Sequence, residues 1–137
     1  MVFLSSVNLW AVIVASVWSI ALGMFWYSPV GFGKRWMKLS GMKKGDMHGK
    51  GMAKTHVLMI VSTLIFSYVL AVFIQYSGAS SFTEGMIAGF WVWLGFVATK
   101  SLGGVLWENK SWSLWLLNAG YDLLSLLVAG GILAVWA

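Results

Sequence analysis

The sequence predicts an all-α integral membrane protein: four transmembrane helices in an up-down bundle, with a basic interfacial segment between helices 1 and 2. Three observations predict it. Of the 137 residues, 60% are hydrophobic and only 9% are charged, with ten Trp, a composition that belongs in lipid rather than in a soluble core. Residues 7–27, 57–76, 85–107 and 112–136 are each long and apolar enough to cross a hydrocarbon core of about 30 Å, which takes about 20 residues of helix. Seven of the nine Lys and Arg (Lys34, Arg35, Lys38, Lys43, Lys44, Lys50 and Lys54) fall between the first two of these windows. The chain reads as a single membrane domain.

Positive charge in short loops is retained on the cytoplasmic side, so the loop at about 29–53 is placed inside and both termini outside. The other connections agree. Residues 77–82 carry no charge and suit the outer face, whereas 107–112 contain Lys110 and return inside. This orientation predicts a multi-pass protein of the cytoplasmic (inner) membrane. No cleavable leader is expected, because Met1 to Trp10 has no basic n-region. The absence of cysteine excludes disulfides, thiolate metal sites and a catalytic thiol. A net charge of +5 held beside a bilayer predicts anionic lipid headgroups as partners, and no nucleic acid.

Helix 1 is expected to end at Pro29, with Trp26 and Tyr27 at headgroup depth. Ala11, Ala15, Ser19 and Gly23 recur every four residues and predict a seam where backbones approach closely. Trp10, Val14 and Trp18 fall on another face, suited to lipid or a bulky neighbour. In residues 31–39, Phe32, Trp36 and Leu39 share a face at helical spacing while Lys34, Arg35 and Lys38 can reach phosphates. Lys34, Arg35, Trp36 and Lys38 are therefore the candidate lipid-facing set. Gly41, Gly45, Gly49 and Gly51 argue against a helix through the rest of the loop. Ser81-Phe82-Thr83-Glu84 has the capping-box pattern for helix 3, which makes Glu84 a cap rather than a catalytic acid. Helix 3 also carries small residues at Gly85 and Gly89, and again at Gly95, Thr99 and Gly103. Ser111 or Ser113 is expected to cap helix 4, and Glu108 to be a solvated partner for Lys110 or for a basic residue of the larger loop.

Two charges lie inside the predicted spans. At about 1.5 Å per residue, Lys100 is about 10 Å and Asp122 about 15 Å from the inner edge, where an isolated charge costs about 3 kcal/mol on insertion scales. They flank one tight turn on antiparallel helices, so they are expected to pair. Asn118, Asp122, Ser125 and Ala129 form a stripe on helix 4, with Tyr121 beside it. Lys100, Asn118, Tyr121 and Asp122 are thus the candidate binding residues. They serve either as a structural ion pair fixing helix register or as a proton or cation site. His48 and His56 with Met42, Met47, Met52 and Met59 invite a copper reading. However, Met37, Met42, Met47 and Met52 recur every five residues, which fits no helix face, and the lysines around them repel cations. No metal and no cofactor is expected. No nucleophile, acid and base fall together, since Asp46 and His48 lack a third partner, and the chain is not expected to be an enzyme.

Trp26-Tyr27-Ser28-Pro29, then Gly33-Lys34 and Trp36-Met37, Met52-Ala53-Lys54, Gly95-Phe96-Val97-Ala98-Thr99 and Asn118-Ala119-Gly120-Tyr121 occur in this order along nearly the whole chain. In this set the chain resembles a family of small bacterial four-helix membrane proteins catalogued as a domain of unknown function. The resemblance implies a multi-pass membrane protein and brings no known substrate. It also implies that the family pattern often has His at the position of Asp122 and an uncharged residue at that of Lys100. Two functions compete. One is a homo-oligomeric channel or transporter for a proton, cation or small solute, built from parallel protomers. The other is a non-catalytic membrane component that binds lipid or a larger partner. A small multidrug exporter fits badly, because helix 1 contains no acid and the charge bias is strong.

Overall fold

A computed structural model of the protein describes residues 7–41 and 52–136. Among these, all regular structure is helical: α1 (Leu9–Trp26), α2 (Gly33–Ser40), α3 (Met52–Ser77), α4 (Phe82–Val92), a π-helical segment (Trp93–Ala98), α5 (Thr99–Ser101), α6 (Gly103–Trp107) and α7 (Trp112–Val135). Helix α1, α3, the composite helix Phe82–Trp107 and α7 are each long and apolar enough to cross a membrane. The chain is therefore a multi-pass membrane protein with four candidate spans. Met42, Lys43, Lys44, Asp46, Met47, His48 and Lys50 lie outside the described residues.

Local chemistry fixes the helix ends. Asn8 caps α1, its Oδ1 accepting from the Trp10 and Ala11 amides at 3.0 and 3.4 Å. Past Tyr27 the chain folds into a tight turn in which the Phe32 amide donates to the Trp26 carbonyl at 2.6 Å. A Cβ at Gly31 would collide with the Phe25 carbonyl and one at Gly33 with the Tyr27 carbonyl, so α2 starts directly under α1. It stops at Gly41, whose φ of +78° is left-handed. Helix α3 begins at Met52, five residues before the apolar window. Helical hydrogen bonding continues past the hydrocarbon region, carrying the exposed Lys54 and His56. The capping box forms at α4: Ser81 Oγ accepts from the Glu84 amide at 3.1 Å and Glu84 Oε1 accepts from the Ser81 amide at 3.2 Å. Of the two candidates at α7, Ser111 is the cap, accepting from the Leu114 amide at 3.0 Å. Ser81→Ala is expected to lower stability by about 1 kcal/mol, read as a drop in the unfolding midpoint in detergent.

Helix α7 holds the bundle together. Against α4 it runs antiparallel, backbone to backbone: a Cβ on Gly85 would strike the Gly130 carbonyl, one on Gly89 the Leu126 carbonyl, and the Phe82 ring lies over Gly131. Against α1 it is also antiparallel, with Ser19 bonded to Ser125 at 2.7 Å and Trp26 reaching Leu117. The predicted ladder on α1 is this seam, since Ala11, Ala15 and Ser19 are buried and Gly23 faces Tyr121. The second set on helix 3 is not a seam within the chain. A Cβ on Gly95 or Gly103 would meet nothing within 4 Å.

The core lies toward one end. Ala11, Ala15, Leu70, Ile74, Leu126 and Leu133 pack together there. The buried residues of α3 (Ser67, Leu70, Ala71, Val72 and Ile74) all belong to its second half, and residues 53–62 are exposed throughout. At the end that carries α2, α3 thus packs loosely and leaves space between itself and α7.

Candidate functional site

Asp122 stands in that space. Its carboxylate lies where two cavities meet: one of about 360 Å³ shared with Ser19, Ser62, Thr63, Tyr121 and Ser125, and one of about 290 Å³ that runs past Asn118 and Lys100 to Glu108 and Lys110 at the α2 end. Ala11, Ala15, Leu126 and Ala129 close the bundle on the opposite side.

The expected ion pair does not form. Lys100 is exposed and shares the second cavity with Asp122, but among the described residues the two do not reach ion-pair distance. Lys110 instead pairs with Glu108 at 3.5 Å, both side chains mostly exposed, which is one of the two solvated partners expected for Glu108. The reason is the backbone between Gly89 and Lys100. A continuous α-helix would carry Lys100 at the assumed register, but the π segment Trp93–Ala98 changes the turn, and a further break at Leu102 follows.

No hydrogen bond or ion pair within the described residues reaches the Asp122 carboxylate. The surrounding hydroxyls are committed elsewhere. Tyr121 donates to the Ser19 carbonyl at 2.6 Å, Ser62 and Thr63 both donate to the Met59 carbonyl at 3.1 and 2.8 Å, and Ser19 and Ser125 share a bond at 2.7 Å. Their remaining lone pairs, with the carboxylate, make the larger cavity rich in acceptors and poor in donors. Among the described residues no basic side chain lines it. Ser67, one turn beyond Thr63 on the same face of α3, is 1% exposed and its hydroxyl has no partner among the described residues.

The frame around Asp122 is aromatic. Three indoles donate to carbonyls of α7: Trp26 to Leu117 at 3.0 Å, Trp93 to Ala119 at 2.9 Å and Trp18 to Ser125 at 3.3 Å. Trp18 is therefore half-buried with a fixed partner, while Trp10, on the same predicted face, is 71% exposed. Tyr27 donates to Asn118 Oδ1 at 2.7 Å, and its ring lies 5.5 Å from Tyr121 and 5.6 Å from Trp36. In α2, Trp36 packs inward on this cluster while Lys34, Arg35 and Lys38 are exposed. Asn118, Tyr121 and Asp122 are thus brought together, Lys100 stands apart, and the α2 set connects to them through Tyr27. Ser62, Thr63, Phe66 and Trp93 escaped the sequence reading, as did the indole bonds of Trp18 and Trp26 to α7. The indoles had a signal, because a polar N–H within lipid needs an acceptor.

No curated protein and no solved structure matches this chain. Residues 10–134 match the family described as "Protein of unknown function (DUF1761)", which spans all four candidate helices. The chain belongs to this family.

Proposed function

We propose that the protein is a channel or transporter for protons or cations, with Asp122 as the site and the cavity past Lys100 and Asn118 as the inner entrance. One observation carries this reading: a carboxylate within a membrane span that faces two cavities and receives no hydrogen bond or ion pair from the described residues. A charge at such depth is costly, and where no protein group compensates it the occupant is water, a proton or a cation. The acceptor-rich lining favours positive charge. Four short helices leave little room for a pore inside one protomer, so the active form is a homo-oligomer of parallel chains in the cytoplasmic membrane. In it the α2 end is inside and both termini outside.

The test is flux in liposomes reconstituted with the full chain and driven by a potassium diffusion potential. Wild type is expected to pass protons or monovalent cations. Asp122→Asn is expected to lose flux by about tenfold or more while keeping its helicity and oligomer size. Flux in the variant equal to wild type would sink the reading.

The second reading, a non-catalytic component that binds lipid or a larger membrane partner, draws on α2. There three exposed basic side chains flank an inward-packed Trp36. Native mass spectrometry separates the two: a defined ring of this chain supports the first, and a single chain bound to anionic lipid or another protein supports the second.

A further inference from the structure

The larger cavity is much bigger than a bare ion requires. At about 360 Å³ it is in the range of small-molecule sites, whereas a water molecule occupies about 30 Å³. Its lining is part polar and part apolar. Asp122, Tyr121, Ser19 and Ser125 come from α7 and α1, Ser62 and Thr63 of α3 add hydroxyls that are bonded to their own helix, and Phe66 of α3, Val97 of the π segment and Leu126 of α7 supply apolar surface.

Phe66 also lines a second, wholly apolar groove of about 180 Å³ between α3 and the composite helix. Phe73 and Phe96 border this groove with ring centroids 6.4 Å apart, and they are 52% and 68% exposed, so it opens on the outer face of the bundle. The two spaces share one aromatic wall. The Phe66 ring is the one side chain common to both, so an amphiphile that moves this ring aside meets the carboxylate and hydroxyl acceptors at one end and apolar surface at the other.

We propose that this site binds amphiphilic organic monocations, molecules with a quaternary or protonated ammonium group and an apolar body. The cationic head would lie at the Asp122 carboxylate, with the Tyr121 and Phe66 rings close enough to add cation–π attraction. The apolar body would lie along Phe66 into the groove between Phe73 and Val92. Charge complementarity selects the occupant. With the carboxylate unpaired and no basic side chain on the larger cavity among the described residues, an anion of the same shape is repelled and a neutral one leaves the charge uncompensated. The π segment provides this wall, because it turns Val97 toward the cavity while Gly95 and Phe96 face outward. The inference rests on the cation reading of Asp122 given above and names its substrate class.

The test uses the full chain in phosphatidylcholine nanodiscs and equilibrium dialysis of tetraphenylphosphonium, with tetraphenylborate as the anion of nearly equal shape. Wild type is expected to bind the cation saturably, to release it to dodecyltrimethylammonium, and to show no saturable binding of the borate. Asp122→Asn is expected to weaken cation binding by about thirtyfold or more, and Asp122→Glu to retain it within a few fold. Phe66→Ala is expected to weaken dodecyltrimethylammonium more than tetramethylammonium. Equal binding of borate by wild type overturns the proposal and needs no variant. Unchanged cation binding by a folded Asp122→Asn overturns it as well. Flux of small cations without phosphonium binding overturns this inference and leaves the transport reading standing, whereas phosphonium binding without any flux does the reverse.

Discussion

A leucine at position 89 is expected to unseat α4 from α7 and to lower stability by about 3 kcal/mol, because the two backbones touch there with no space for a side chain. Even the first carbon of a side chain on Gly89 meets the Leu126 carbonyl, and Gly85 stands in the same relation to Gly130. In lipid, little hydrophobic force drives helices together, so the loss of close van der Waals contact is not offset by burial. Gly89→Ala should already be harmful. Gly95→Ala and Gly103→Ala are the controls, since the added methyl meets nothing within 4 Å, and both should change stability by less than about 0.5 kcal/mol. Unfolding in mixed micelles, followed by tryptophan fluorescence, checks all four. A Gly89→Leu protein as stable as wild type would show that the α4–α7 contact is not the main seam.

Asp122→Asn is expected to stabilise the fold even as it removes activity. A buried ion pair broken on one side loses about 3–5 kcal/mol, because the other charge is left uncompensated. Among the described residues the carboxylate takes part in no hydrogen bond or ion pair, so replacing it removes a desolvated charge and leaves none of them stranded. A gain on the order of 1–2 kcal/mol follows, less than the full insertion cost because the cavities admit water. Lys100→Met should be close to neutral. A double-mutant cycle between the two positions should give a coupling below about 0.5 kcal/mol, against several for a true pair. A strong coupling would restore the ion pair and remove the reason for assigning a ligand to Asp122.

Much of this architecture is legible in the residue pattern, for identifiable reasons. Spans follow from hydropathy because a backbone in lipid has no choice but to satisfy itself. The Ser81–Glu84 box and the Ser111 cap follow from fixed short-range geometry. The Ala11–Ser19 ladder is readable because its spacing matches one face of an α-helix. That same assumption fails on helix 3. A π segment leaves no mark that hydropathy detects, since Trp93 to Ala98 is as apolar as its surroundings, and every position after it is rotated from its expected face. Thr99 and Lys100 are misplaced by this feature, and Gly103 by it together with the break at Leu102. Asn118, Tyr121 and Asp122 keep the relative placement that their spacing predicts because α7 is regular from Trp112 to Val135. The cavity itself is not legible, because it comes from α3 packing only with its second half, a tertiary property no local pattern encodes.

Accessibility of position 122 tests the central claim, that this carboxylate faces a water-filled entrance from the α2 end. The natural chain has no cysteine, so Asp122→Cys is a single reactive thiol without further changes. In inside-out membrane vesicles a membrane-impermeant methanethiosulfonate reagent is expected to modify it, and tetraphenylphosphonium to slow the reaction. In right-side-out vesicles it should remain unmodified, because Ala11, Ala15, Leu126 and Ala129 close that side. A cysteine at Leu124, on the exposed lipid face of α7, should be unreactive in both. Modification from the outer side, or no modification from either side in a protein that still oligomerises, would contradict the account.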